Sequence, residues 1–207
     1  MSTGETRARP RWHAYARWGA ISVAAVVVLF FLFLLFGAKA YRIPSPTMEP
    51  TLHCAQPSYG CLGEADDRVL VCTICQTLSD PSRGDVMVFH TPASAVRTCG
   101  GGGTFVKRVI GLPGETVRED SKGFIWIFGP HSRTGTRLEE PYVSARSRQF
   151  DSAHFDQTWH VPKGDYFMVG DNRSRSCDSR QWGGLPAAKL IGPVIFRYWP
   201  WSRIGFP

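Results

Sequence analysis

The sequence predicts a mainly β domain that follows one N-terminal transmembrane helix. Residues 18–38 contain no charged side chain. A helix of that length spans about 30 Å, the thickness of a bilayer's hydrocarbon core. Beyond residue 41, apolar residues fall in short runs separated by Gly, Pro, Asp and Ser, without a long amphipathic helix pattern. Such punctuation is typical of β-rich domains.

The charges that flank the apolar run predict its orientation. Residues 1–17 form a basic arm with four arginines and one glutamate. The positive-inside rule then places the arm in the cytoplasm and residues 39–207 outside it. The alternative is a cleaved secretory signal, because residues 38–40 resemble a small-x-small cleavage site. A signal core of about 7–15 residues is shorter than this run, which favours a retained anchor.

The charge balance argues against a nucleic-acid partner. The chain has 207 residues and a net charge of +7, which alone would suggest phosphate binding. Residues 41–207 hold 19 basic and 16 acidic side chains, so much of the excess lies in the N-terminal segment. The 43% hydrophobic content also excludes a disordered or collagen-like chain.

Six strands are predicted in the exported part, at 68–74, 85–91, 104–111, 123–128, 165–170 and 192–198. The polar segment 129–157 lacks alternation and is predicted to be a loop or a small inserted lobe within the 39–207 domain. The glycine run 100–103 predicts a mobile connection before the third strand.

Six cysteines fit an oxidising compartment. Cys54 and Cys61 bracket a short loop and are predicted to form a local disulfide, while the other pairings stay open. Cys72 and Cys75 have half-zinc-site spacing. Residues three apart in a strand point to opposite faces, which disfavours chelation.

Two segments carry hydroxyl groups in constrained surroundings. Residues 43–52 read Ile-Pro-Ser-Pro-Thr-Met-Glu-Pro-Thr-Leu, and the prolines hold them extended. By itself this segment would serve as a stiff tether. Residues 170–180 form a dense polar turn in which Asp178 and Arg180 are placed to pair.

Lys107 is the candidate general base. Strand alternation puts it on the same face as Phe105 and Val109. Burial between apolar neighbours favours a neutral amine and lowers the lysine pKa, so that the amine can accept a proton near neutral pH. The alternative is a side chain that extends along the surface to reach water.

Taken in order, these segments resemble the bacterial type I signal peptidase family. The resemblance covers nearly the whole chain: the anchor, the Ile-Pro-Ser-x-x-Met-x-Pro-Thr-Leu segment, Arg-Gly-Asp-Val-Met-Val-Phe at 83–89, Lys-Arg-Val-Ile-Gly-Leu-Pro-Gly-Glu at 107–115, and Gly-Asp-Asn-Arg followed by Asp-Ser-Arg at 170–180. Each motif is short, but five in the family's order are specific.

The resemblance implies a β-rich, membrane-bound serine–lysine endopeptidase that needs no cofactor or metal. It would remove signal peptides from exported preproteins after a small-x-small site, outside the bacterial cytoplasmic membrane. By position, Lys107 resembles the general base and Ser176 the hydroxyl that orients it. Ser45 resembles the side-chain donor of the oxyanion hole, and Asp178 and Arg180 the supporting ion pair. The implied partners are preproteins and the lipid bilayer, and we expect a monomer.

The sequence departs from the family at the nucleophile, where Thr47 stands in place of serine. Threonine retains a nucleophilic oxygen, but its methyl group restricts χ1 and crowds the attack. The alternatives are an impaired paralogue that binds signal peptides, an introduced inactivating substitution, and a shift of the nucleophile to Ser45. Other rivals are a different serine–lysine peptidase, a histidine triad using His90, and an anchored binding module.

Overall fold

The structure is a computed structural model that describes residues 12–33 and 37–207. It divides into two compact units, residues 1–38 and 39–207. The first contains helix α1, Trp12–Leu32, which begins inside the predicted arm. Among the described residues, no helix combines the length and hydropathy needed to cross a membrane. Residues 1–11 of the predicted arm and 34–36 of the predicted span lie outside the described residues.

Two sheets form the second unit. In chain order the described strands β1 to β11 are Ala38–Arg42, Arg68–Cys72, Val86–His90, Thr104–Gly111, Thr116–Glu119, Ile125–Phe128, Thr136–Arg137, Thr158–His160, Asp165–Val169, Leu185–Pro186 and Leu190–Trp199. The larger sheet has seven strands in the order β1-β2-β11-β3-β4-β9-β10, and the smaller has four in the order β7-β6-β5-β8. Strands β2 to β11 pair antiparallel. Three short helices join them: α2 at Ala93–Cys99, α3 at Ala145–Gln149 and α4 at Ser179–Trp182.

The mainly β prediction is confirmed, with corrections to individual strands. The 104–111 strand is confirmed in full as β4, whereas the 68–74 strand was predicted too long: β2 ends at Cys72, before a 3-10 turn over Cys75–Thr77. The sequence prediction missed β1, β5, β7, β8 and β10. These strands have at most five residues and, unlike the equally short β3, β6 and β9, they lack a continuous apolar run that would mark them in the sequence.

The segment 129–157 holds β7, α3 and a 3-10 turn over Ser152–His154. Ser144 caps α3 by accepting a hydrogen bond from the Ser147 backbone N–H at 3.1 Å. The smaller sheet, however, takes β5, β6 and β8 from outside this segment.

Three disulfides cross-link the second unit: Cys54–Cys61, Cys72–Cys75 and Cys99–Cys177. The first confirms the predicted local pair. The second forms because Cys75 lies in the turn beyond β2, so the argument from opposite strand faces does not apply there. The third joins α2 to the 170–180 turn across 78 residues of sequence.

One core cluster holds the 43–52 segment in place. Ile43, Met48 and Leu52 are almost fully buried. They pack against valines of β2, β3 and β11. The segment is therefore an anchored part of the domain, and the tether interpretation does not describe it.

Candidate active site

A 3-10 turn over Pro46–Met48 presents Thr47. Ser45 is extended, with φ −127° and ψ 149°, and Pro46 begins the turn, where its fixed φ is suitable. Met48 anchors the turn in the core. The half-buried Ser45 and Thr47 hydroxyl oxygens lie 3.3 Å apart.

The loop after β9 holds this turn from the other side. The Asn172 backbone N–H donates to the Thr47 carbonyl at 3.1 Å, and its side-chain amide donates to the Pro46 carbonyl at 2.9 Å. Gly170 lies between Thr47 and Ser176. A Cβ at position 170 would lie 2.6 Å from the Thr47 carbonyl oxygen and 2.3 Å from the Ser176 Oγ. Only glycine allows the turn and the loop to approach this closely.

Lys107 lies on β4 opposite Met87 and is 3% exposed. Burial lowers its pKa to about 8, while the Asp178 carboxylate partly opposes this shift and the Arg180 guanidinium adds to it. The ammonium nitrogen lies 5.5 Å from the centre of the Phe105 ring. A substantial fraction of this lysine is therefore neutral near pH 8.

Ser176 is buried beside Gly170, and its hydroxyl makes no hydrogen bond of normal geometry within the described residues. It nevertheless lies close enough to the Asp178 carboxylate to help lower the pKa of that group. A buried hydroxyl without a partner costs stability. It is also available to an amine or a substrate group.

Asp178 and Arg180 form a buried two-pronged ion pair, with N–O distances of 2.8 and 2.9 Å. Asp178 also accepts hydrogen bonds from the Arg180 backbone N–H at 3.2 Å and from the Gly170 N–H at 3.1 Å. Burial alone would raise the pKa of Asp178, but the Arg180 guanidinium, together with Ser176 and the Gly170 N–H, outweighs it and lowers the pKa to about 2. The aspartate is therefore charged at neutral pH and fixes the Gly170 end of the loop.

Other buried ion pairs that sequence reasoning missed surround this centre. Arg180 also pairs with Asp151 and, at 3.4 Å, with Glu119, which ties it to the chain around the smaller sheet. A further pair joins Arg108 to Asp171, with N–O distances of 2.9 and 2.6 Å, and another joins Arg173 to Glu140. The sequence offered one signal of these buried ion pairs: a charged residue, such as Arg108, within a strand of apolar residues.

The structure therefore brings together the hydroxyl groups of Ser45 and Thr47 and, on the other side of Gly170, the hydroxyl group of Ser176. It also places Lys107 within the electrostatic reach of Asp178 and Arg180. His90 lies apart from this arrangement as the exposed last residue of β3. A constellation of hydroxyl groups with a neutral amine suits proton abstraction and acyl transfer.

The family model described as "Signal peptidase, peptidase S26" matches residues 15–199. The chain belongs to the type I signal peptidases. It is 34% identical over 203 residues to a probable signal peptidase I-2 of Synechocystis, covering 98% of this chain and 82% of that one. It is 36% identical over 191 residues to a signal peptidase I of Leptolyngbya laminosa, covering 90% and 81%.

A signal peptidase I of Mycobacterium tuberculosis is 31% identical over 238 residues, covering 95% of this chain and 77% of that one. A crystal structure of a signal peptidase I from Enterococcus faecalis aligns with a TM-score of 0.42 and 31% identity, over 56% of this chain and 97% of that one.

Proposed function

We propose that this signal peptidase is a membrane-bound endopeptidase that removes N-terminal signal peptides from exported preproteins after a small-x-small site. The observation that carries the proposal is the buried Lys107, whose pKa of about 8 equips it as a general base. The family membership supports the substrate class. No cofactor or metal is needed for this chemistry.

The reaction begins when the neutral Lys107 amine accepts the proton of the Thr47 hydroxyl as its oxygen attacks the scissile carbonyl carbon. The tetrahedral intermediate collapses as the peptide C–N bond breaks, and Lys107 returns the proton to the leaving amine. Lys107 then takes a proton from water, whose oxygen attacks the acyl-enzyme ester. In the second collapse the ester C–O bond breaks, Lys107 gives the proton it took from water to the threonine oxygen, and the signal peptide leaves with a new carboxyl group. The Ser176 hydroxyl, which makes no hydrogen bond of normal geometry within the described residues, is the group proposed to orient the lysine amine.

The Ser45 hydroxyl and the Thr47 backbone N–H are the proposed oxyanion donors. The 3.3 Å separation of the two hydroxyl oxygens supports this role, because both oxygens then face the same small volume. The methyl group of Thr47 is the weak point of the arrangement. A displacement of about 1 Å can cost a hundredfold in rate, so an impaired paralogue that binds signal peptides is the second candidate function.

The edge of β4 supports the binding of an extended substrate. Residues 104–107 pair with β3 on one side, while pairing with β9 on the other side begins at Arg108. The described chain thus leaves backbone groups of 104–106 open to a substrate strand that leads to Lys107. Tyr41 and Val106 border this edge within the apolar cluster around Ile43, which suits the apolar end of a signal peptide.

Anchoring by residues 18–38 remains a proposal that rests on the sequence, with the N-terminus cytoplasmic, the peptidase domain outside the bacterial cytoplasmic membrane, and the enzyme a monomer. The exposed aromatics near residue 200 support contact with lipid: Trp201 is 76% and Phe206 83% exposed. Such residues favour the interface of a bilayer. The nearby Arg203 is engaged by Asp67 at 3.1 Å.

The test is cleavage of a model preprotein by the full chain and three variants. Thr47→Ser should retain or raise kcat/KM because it removes the crowding methyl. Thr47→Ala and Lys107→Ala should abolish turnover, with folding verified by tryptophan fluorescence. Unchanged turnover in Thr47→Ala would exclude Thr47 as nucleophile and direct attention to Ser45. Binding of a signal peptide without turnover in the wild type and in Thr47→Ser would favour the impaired paralogue.

A further inference from the structure

A cavity of about 720 Å³ lies beside the turn that carries Thr47. Its wall includes Glu49 and Pro50, which follow the turn, and Asn172, which holds the turn through hydrogen bonds to Pro46 and Thr47. The rest of the wall comes from the Cys54–Cys61 loop, from the chain around α3 and from residues 174–175. No step of the proposed mechanism uses this cavity.

Two exposed arginines, Arg146 and Arg175, line the cavity. None of the ion pairs formed by the described residues includes either guanidinium. The Arg175 guanidinium stacks 3.9 Å from the centre of the Tyr59 ring, and the Arg146 guanidinium lies 5.8 Å from the centre of the Phe150 ring. Tyr59 and Phe150 both line the cavity, and the two charges lower the pKa of Tyr59, Arg175 more than Arg146. The two positive charges therefore converge on one opening.

The one carboxylate in the wall does not neutralise them, because Glu49 is directed into the protein. It is 3% exposed and accepts hydrogen bonds from the Cys54 and Leu62 backbone N–H groups, each at 3.0 Å, while its other oxygen contacts His53. The opening is thus cationic, with apolar surface from Phe150 and Leu62 at its rim.

Two regions next to the turn that carries Thr47 differ in chemistry. The apolar cluster with Ile43 and Val106 lies on the side of the open β4 edge, and the cationic cavity lies on the side of Asn172. With the apolar signal segment along the β4 edge, the residues after the cleavage site leave Thr47 in another direction, and the cavity, whose wall shares Asn172 with the Thr47 turn, is open to them. Four extended residues reach about 13 Å, enough to enter an opening whose wall begins two residues from Thr47.

We propose that the cavity binds the segment of the preprotein immediately after the cleavage site and selects an acidic side chain there through Arg146 and Arg175. This inference rests on the proposed function and adds a substrate preference to it. We choose an acidic side chain as the occupant because its charge is complementary. The two arginines form no ion pair within the described residues, and a glutamate or aspartate of the substrate would supply the missing carboxylate.

The experiment compares model preproteins that carry a single Glu at each of the second to fifth positions after the cleavage site with matched Gln versions. We expect the wild-type enzyme to give a Glu-to-Gln ratio of kcat/KM of about three to ten at its best position in low salt. Arg146→Gln/Arg175→Gln should bring the ratio to about one, and 0.5 M salt should shrink it. Arg118→Gln, at an exposed arginine on β5, is the matched control and should keep the ratio.

A ratio near one at all positions in the wild type, or a ratio that survives the double substitution, would overturn the assignment. A binding assay tests the cavity independently of the proposed peptidase activity. Labelled peptides that span the cleavage site are titrated onto Thr47→Ala and followed by fluorescence anisotropy. Tighter binding of the Glu peptide that is lost in the double variant, with no wild-type cleavage of either preprotein, would uphold the cavity and reject the peptidase. Arginine-dependent binding to anionic vesicles without a Glu preference would assign the cavity to lipid instead.

Discussion

Replacing Lys107 with methionine should stabilise the protein while it abolishes activity. Lys107 is 3% exposed. Its low pKa means that the folded environment disfavours the charged amine, with burial the largest cause. Methionine has a similar length and no charge, so it removes that cost with little change in packing.

The magnitude follows from proton linkage. The free energy that separates a pKa of 10.5 from one of about 8 is about 3 kcal/mol. Between about pH 8 and pH 10.5, the two pKa values, Lys107 binds more protons in the unfolded chain than in the folded chain. The free energy of unfolding of the wild type therefore rises with pH in this window. The advantage of Lys107→Met is therefore complete below about pH 8 and disappears as the pH approaches 10.5.

The assay is urea unfolding of the full chain in detergent with its disulfides intact, followed by tryptophan fluorescence at several pH values from 7 to 10.5. Lys122→Met, at an exposed lysine, is the matched control and should change the free energy of unfolding by less than about 0.5 kcal/mol. If Lys107→Met is no more stable than the wild type at pH 7, or its advantage does not shrink with pH, the buried-amine argument fails.

Three further outcomes are expected. With a Lys107 pKa of about 8, kcat/KM should rise about tenfold from pH 7 to 9; a rate still climbing past pH 10.5 contradicts a buried base. Gly170→Ala would place a Cβ 2.3 Å from the buried Ser176 hydroxyl and should lower kcat/KM at least about a hundredfold. Gly101→Ala, whose Cβ would meet open space, is the control and should keep the wild-type rate. Equal rates in the two variants would refute the close approach of the Thr47 turn and the 170–180 turn at Gly170. Cys99→Ser/Cys177→Ser opens a 78-residue loop and should lower the free energy of unfolding by about 4 kcal/mol, measured by urea unfolding; a loss below about 1 kcal/mol counts against it.

The sequence predicted the fold where an element is long enough to display its own pattern. Strand β4 spans eight residues, is rich in β-branched residues and was located in full. Strands β5 and β8 have four and three residues. They pair with each other, and β5 also pairs with β6, and no local sequence pattern contains these pairings. The Cys54–Cys61 pair is seven residues apart, so proximity favoured it, whereas the link from α2 to the 170–180 turn depends on tertiary structure.

The candidate site also has one part that could be predicted from the sequence and another part that only the folded structure shows. The order of the motifs, through the family that they resemble, indicated a hydroxyl nucleophile and an amine base. The contacts that support them were invisible for a physical reason: Gly170 matters through the side chain it lacks, and Asn172 through hydrogen bonds to a turn more than 120 residues earlier. The cationic cavity likewise exists only when three distant loops meet.

The position of β11 has a consequence for how this enzyme comes into being. Residues 190–199 form the strand that lies between β2 and β3 in the larger sheet. A ribosome delivers it long after both neighbours, so the nascent chain holds two half-sheets without a common partner, one beside Thr47 and the other carrying Lys107. The larger sheet is therefore completed only by a strand that follows both of its neighbours in sequence. Until β11 is in place, the facing edges of β2 and β3 have unpaired backbone groups, which makes this stage of folding the one most exposed to strand-mediated aggregation.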